Sequence, residues 1–239
     1  MAGTIETNTG DDTGKLVRLW WRKQITGLLI LMAILFASAG TLSWPAGWLY
    51  TGVYAATIIA QAIVVLPRQP GLIAERAKLQ QGTKFWDIAL TLVAIVLLPM
   101  VSWAIAGLDY RYGWTAAQPV WIPVAGLLLT ALGWGIVIWS MASNPYFSAT
   151  VRIQAERDHH TVSSGPYRFI RHPGYVGTII FHLAMPLVVG SLPAFYPNLV
   201  TAALLVLRTA LEDRTLRDEL PGYREYAART RYRLIPGVW

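Results

Sequence analysis

The chain has 239 residues, 54% of them hydrophobic and only 14% charged, with a mean hydropathy of +0.42; a soluble domain carries roughly 25% charged residues, so an ordinary soluble domain is excluded and a membrane protein is indicated. The formal net charge of +7 would suit nucleic acid, but the basic residues collect on one side of the predicted spans, and no nucleic-acid partner is expected. The absence of cysteine excludes disulfides, thiolate metal sites and cysteine nucleophiles.

Residues 1–14 are rich in Thr, Gly and Asp and are expected to form a disordered tail. Lys15, Arg18, Arg22 and Lys23, interleaved with Trp20 and Trp21, make a basic aromatic anchor for a membrane interface. Ala37-Ser38-Ala39 is a weak cleavage site, so no cleaved signal peptide is expected. Residues 25–42 carry no charge and are long enough to span, since a bilayer requires about 17–25 residues. Ser43-Trp44-Pro45 turns the chain into a second span, 46–66, whose only strongly polar side chain is Gln61. A Pro/Arg segment, 67–84, then leaves the membrane and holds a short interfacial helix, 72–80. A third span, 88–107, and a loop, 109–119, lead to a fourth span, 120–141, where Pro123 sits near the start and is tolerated.

Residues 144–174 are the longest polar stretch after the tail. The apolar runs 175–191 and 194–211 are each near the minimum spanning length, and form two full spans or a tight helical hairpin. Pro193 and Pro197 flank the break between them. The last helix is expected to continue into water as far as Leu220, where Pro221-Gly222 stops it before a basic, aromatic tail. Threading six crossings puts all of the 20 Lys and Arg except Arg111 on one face, a positive-inside pattern that makes both termini cytoplasmic. The expected fold is thus an all-α integral membrane protein of about six crossing helices, in a compact chain read as a bacterial inner-membrane protein. No internal repeat is visible, so an inverted-repeat transporter is not supported.

Two charged clusters bracket the last apolar runs. The first is the turn-rich stretch from Gly165 to Gly177, which contains Arg171-His172-Pro173-Gly174-Tyr175. The second is Arg208, Glu212 and Asp213. Arg208 and Glu212 are four residues apart and share a helix face. Arg208 lies inside an apolar run, where an ionisable side chain either serves function or snorkels to the interface one turn away. His172 reads either as a turn histidine or as a site residue. His159 and His160 match no zinc pattern and are expected to face solvent, so no metal site is expected. His182 is expected to make a buried hydrogen bond. Tyr223 and Tyr226 share a face and either pack on the membrane surface or stack on a cofactor base. No dinucleotide fingerprint, P-loop, HExxH or GxSxG occurs.

Gly165-Pro166-Tyr167, then Arg171-His172-Pro173-Gly174-Tyr175-Val176-Gly177, an apolar hairpin, Arg208-Thr209 and Glu212-Asp213, with Tyr223-Arg224-Glu225-Tyr226, Arg229 and Leu234-Ile235-Pro236 in the tail, resemble the isoprenylcysteine carboxyl methyltransferase family. The resemblance covers about 144–236; the first four spans match only in hydropathy. It implies an integral-membrane methyltransferase that uses S-adenosylmethionine, with a four-span membrane region, 15–143, before a methyltransferase core, 144–239. It further implies that His172, Tyr175, Gly177, Glu212, Asp213, Tyr223 and Tyr226 hold the cofactor from the cytoplasmic side. Arg208 and Arg171 are the catalytic residues it implies, with Arg208 orienting an acceptor carboxylate. The family shows two glutamates where this chain has Glu212-Asp213, so the second carboxylate is shorter and displaced. Expected partners are membrane lipids and a lipophilic or lipid-modified acceptor: a prenylcysteine-like carboxylate first, a phospholipid amine or small thiol as the alternatives. A non-catalytic membrane scaffold is the remaining reading.

Overall fold

A computed structural model describes residues 9–77 and 82–239, and every regular element among them is helical. The order is α1 (Thr9–Ala39), α2 (Pro45–Arg68), α3 (Pro70–Ala77), α4 (Phe85–Thr91), α5 (Leu98–Tyr112), α6 (Trp121–Ser143), α7 (Pro173–Val189), α8 (Phe195–Glu219) and α9 (Tyr223–Arg229). A π-helical stretch, Leu92–Leu97, joins α4 to α5 into one continuous rod. There the Leu98 N–H donates to the Val93 carbonyl five residues back. Pro99, which has no N–H to give, follows at once and makes the wider turn easy to accommodate.

The breaks follow local chemistry. Gly40 takes φ +69° and ends α1, a left-handed conformation that costs glycine little. Trp48 Nε1 donates to the Leu42 carbonyl at 2.8 Å and closes the turn into α2, and Pro45 opens that helix where a proline fits. Pro173 does the same for α7. Gly222, at φ +77°, separates α8 from α9.

Among the described residues, four helices are long and apolar enough to cross a membrane: Gly14–Ala39, Pro45–Arg68, Phe85–Tyr112 and Trp121–Ser143. Their outward faces carry exposed Leu29, Ile59, Ile63, Val101, Leu128 and Leu132, the dress of helices that meet lipid. Helix α7 is apolar but has 17 residues, and α8 is apolar only in its first part. Several expected boundaries move; the third span, for one, runs on to Tyr112, into the expected loop 109–119. Residues 9–14 of the expected tail are the first turns of α1, while residues 1–8 lie outside the described residues. The interfacial helix is α3, which begins two residues earlier than expected, and 78–80 of that expectation also lie outside the described residues.

Among the described residues, helices α6 and α7 share the most extensive contact. Small residues let their backbones touch: a Cβ on Gly133 would stand 2.7 Å from the Gly177 carbonyl oxygen and 2.8 Å from the Phe181 nitrogen. Close approach of this kind replaces the hydrophobic drive that lipid cannot supply between helices. A buried polar clamp ties α5 to α8, with Asn198 Nδ2 donating to Ser102 Oγ at 2.6 Å and to the Ala194 carbonyl at 2.8 Å. This frame fixes α7 and α8 side by side, with both charged clusters at the same end.

Candidate active site

The segment between α6 and α7 holds only two short 3-10 turns, at Ala155–Arg157 and Gly165–Arg168. It is ordered by the tail. The N–H groups of Arg171 and His172 donate to the carbonyls of Tyr232 and Arg233 at 2.9 and 3.0 Å. Tyr226 donates its hydroxyl to the Tyr167 carbonyl at 2.6 Å, which docks α9 on the Gly165–Arg168 turn.

Asp213, with 0% exposure, is the hub. Its carboxylate receives Arg171 in a fork, Nε at 2.6 Å and Nη2 at 3.1 Å. It also receives Arg217 Nε at 3.0 Å, Arg233 Nε at 2.9 Å and the Tyr223 hydroxyl at 3.0 Å, and His172 Nε2 lies 3.3 Å away. The remaining Arg171 donor, Nη1, meets the carbonyls of Thr230 and Arg231 at 2.8 and 2.6 Å. A buried carboxylate needs this much pairing to stay charged. Burial, and then the negative Asp213 beside it, push the Tyr223 phenol well above its ordinary pKa, so Tyr223 acts as a hydroxyl donor. The structure thus finds Asp213 and Arg171 joined to each other within the wall.

A cavity of about 330 Å³ runs along this wall. His172, Tyr175, Glu212, Tyr223 and Tyr226 line its loop end; Tyr50, Tyr54, Trp103, Trp134, Phe181 and His182 line its helix end. Glu212 accepts the Tyr175 hydroxyl at 2.5 Å and lies 4.0 Å from His172 Nδ1. At the helix end Trp134 and Phe181 rings meet at 5.1 Å and Tyr54 and Trp103 at 6.4 Å. His182 stands edge-on to Phe181 at 5.7 Å, where a buried hydrogen bond was expected. Gly177, expected to line the cofactor, faces the Gly133 backbone of α6 instead, because any side chain there would prevent the helices from touching.

Arg208 lines the cavity, but its fork is closed. Its Nε donates to Asp87 Oδ1 at 2.5 Å, and its Nη2 to Asp87 Oδ2 at 3.1 Å and to the Ala149 carbonyl at 2.9 Å. The guanidinium lies 5.3 Å from the Tyr175 ring centroid. Asp87 has 0% exposure and also accepts the Val151 N–H at 2.8 Å. The pair therefore fastens residues 149–151 to α4 and α8. Sequence reading missed Asp87. The signal was there: one acid at the edge of an apolar run, and one arginine inside another, each too costly to leave alone near a membrane.

Of the two histidines expected in solvent, His160 is exposed and His159 is half-buried; both border the same cavity. The His159 ring lies on Tyr146 at 4.4 Å, and its Nδ1 accepts the Gln154 N–H at 3.3 Å. Burial first, then the positive neighbours His160, Arg157 and Arg152, lower its pKa to about 4. His160 Nδ1 lies 2.8 Å from the Tyr146 hydroxyl. The loop is tied to α3 by another pair not foreseen from the sequence: Arg152 meets Glu75 at 2.8 and 2.9 Å and Glu156 at 2.5 Å.

Residues 126–218 match the model of the Isoprenylcysteine carboxyl methyltransferase (ICMT) family. The chain is 30% identical to Delta(14)-sterol reductase of Mus musculus over 136 residues, 51% of this chain and 32% of that protein. It is 34% identical to the cobalt-zinc-cadmium resistance protein CzcN of Cupriavidus metallidurans over 110 residues, 45% of this chain and 49% of that protein. The matches span about a third and about half the lengths of these curated relatives. The family match takes in α7, nearly all of α8 and the loop that precedes them, the elements that carry His172, Tyr175, Arg208 and Glu212; over residues 126–218 the chain is thus similar to the isoprenylcysteine carboxyl methyltransferase family.

Proposed function

We propose that the protein is an integral-membrane methyltransferase that moves a methyl group from S-adenosylmethionine to a lipophilic acceptor, a prenylcysteine-like carboxylate in the first instance. One observation carries the reading: a single cavity joins a loop end of carboxylate, histidine and tyrosine to a helix end of aromatic rings. A polar cofactor and an apolar acceptor can meet only in such a space. In this reading α7 and α8 complete six crossings, and both termini lie in the cytoplasm, as the distribution of Lys and Arg favours.

The donor set fits the cofactor. Among the described residues Glu212 has one hydrogen-bond partner, the Tyr175 hydroxyl, and so keeps a carboxylate oxygen for an ammonium or ribose hydroxyl. Tyrosine faces suit a sulfonium. When bound, S-adenosylmethionine supplies an electrophilic methyl group. His172, Tyr175, Glu212, Tyr223 and Tyr226 bind and orient it; Asp213 and Arg171 position His172 and Tyr223; the aromatic end excludes water. Alignment and dryness are what such a transfer demands of a protein. A carboxylate acceptor is ionised at neutral pH, so no side chain has to remove a proton. Arg208 enters as a positioning residue, because Asp87 already occupies its fork.

The test is binding of S-adenosylhomocysteine to the purified protein, with methyl transfer from labelled S-adenosylmethionine to a prenylcysteine analogue, phosphatidylethanolamine and a small thiol. Binding with transfer to the prenylcysteine carboxylate is expected. Transfer confined to the amine or the thiol moves the acceptor to that class. Neither binding nor transfer leaves the scaffold reading, and reduction of a Delta(14)-sterol without methyl transfer replaces the methyltransferase reading altogether.

A further inference from the structure

Most charges around the cavity are cancelled by neighbours. Arg152 is held by Glu75 and Glu156, Arg171 by Asp213 and Arg208 by Asp87. Among the described residues, Glu212 is left as a carboxylate facing the space, and one cation is left with it: Arg76, on α3. Its guanidinium lies 5.6 Å from the Phe147 ring centroid. Among the described residues no carboxylate or carbonyl meets it. Its nearest influence is unfavourable: burial first, then the positive Arg208, lower its pKa to about 10, which leaves it charged at neutral pH. Arg76 is half-buried on the cavity wall; a charge partly withdrawn from water without a counter-charge is costly, and a ligand there can relieve it.

We propose that Arg76 is the anion-receiving residue of the cavity and takes a carboxylate or phosphate group of a bound ligand. The guanidinium donors, which no carboxylate or carbonyl among the described residues takes up, suit a planar anion, for which arginine's fork outperforms lysine. Arg76 lies outside the segment shared with the family, residues 126–218, so this chain supplies the anion contact from its own N-terminal region. The anion comes from one of two sources, an acceptor headgroup or the carboxylate of the cofactor itself. Its catalytic meaning rests on the methyltransferase reading; the anion site does not.

The experiment uses the full chain in nanodiscs of neutral lipid, as wild type, Arg76→Gln and Arg76→Lys. Thermal stability is read with oleate and with oleyl alcohol, a pair that differs only in the charged end. Oleate should stabilise the wild type and oleyl alcohol should not; Arg76→Gln should abolish the difference and Arg76→Lys should keep part of it. Without ligand, Arg76→Gln should melt close to wild type, because no carboxylate or carbonyl partner is lost; a structural arginine would melt clearly lower when replaced. Binding of S-adenosylhomocysteine and of 5′-methylthioadenosine, which lacks the carboxylate, separates the sources. A cofactor contact predicts at least a tenfold loss in Arg76→Gln for the first and none for the second. An acceptor contact leaves both unchanged and raises KM for a prenylcysteine carboxylate at least tenfold, with affinity for its methyl ester unaltered. If oleate still discriminates through Arg76 while the wild type neither binds cofactor nor transfers methyl, the anion site stands and the methyltransferase reading falls. Identical behaviour of wild type and Arg76→Gln in every arm overturns the proposal.

Discussion

Asp87 and Arg208 lie 121 positions apart in the sequence and form one buried unit. Each was readable alone as an expensive charge beside an apolar run, but only the folded helices reveal that they cancel. The same holds for Asp213: the motif marks it as a cofactor ligand, whereas the structure has its carboxylate gathering three arginines and a tyrosine within the wall. Asp87→Asn should therefore strip a buried arginine of its counter-charge and cost about 3–5 kcal/mol, the usual penalty for breaking such a pair from one side. A double change, Asp87→Asn with Arg208→Met, should recover much of that loss. Thermal melts of the single and double variants check this, and additive losses would show that the two residues do not act as a pair.

The helices were legible because lipid demands long uncharged runs, so spans two to four lie within a few residues of their expected positions. Gly177 shows what hydropathy could not supply. Its motif position suggests a ligand contact, but its role depends on Gly133 of another helix. A Cβ on Gly177 would meet the Gly133 carbonyl oxygen and stand 3.0 Å from the Val137 nitrogen. Gly177→Ala should separate α6 from α7 and cost about 1–3 kcal/mol, visible as a lower Tm; an unchanged melt would contradict the contact. The loop between these helices adds a pH dependence. His159 has its pKa lowered to about 4, and the charged and titratable groups acting on it are His160, Arg157, Arg152 and Glu156. The unfolded chain takes up this proton at about pH 6.5 while the folded one resists, so stability should fall as pH drops from about 6.5 to 4 and then level off with respect to this group. His159→Asn should flatten that slope in Tm between these limits, and an unaltered slope would mean that His159 titrates normally.

Across the whole molecule, a hydrophobic frame carries a polar end built from distant parts of the sequence: the turn before α7, the charged half of α8, the tail, and a contribution from α3 and α4. The turn, α8 and the tail were readable as motifs. The share of α3 and α4 was not, since nothing local in Arg76 or Asp87 announces a cavity. Orientation has its own test. Single cysteines at Gly82 and Gly237, in a chain that has no cysteine of its own, should escape an impermeant thiol reagent in intact cells and react after lysis; labelling of Gly237 without lysis would break the six-crossing arrangement.

The central claim is that the loop end of the cavity binds S-adenosylmethionine through His172 and Glu212. The most direct measurement is the Kd of S-adenosylhomocysteine for the wild type, His172→Ala, Glu212→Gln and Arg214→Ala, the last on the exposed side of α8 with 83% side-chain exposure. Loss of a charge-assisted hydrogen bond is worth about 1.5–3 kcal/mol, roughly 10- to 150-fold in affinity. Weakening of that order is expected in His172→Ala and Glu212→Gln and none in Arg214→Ala. Equal affinity in all four proteins, or no binding to the wild type, would contradict it.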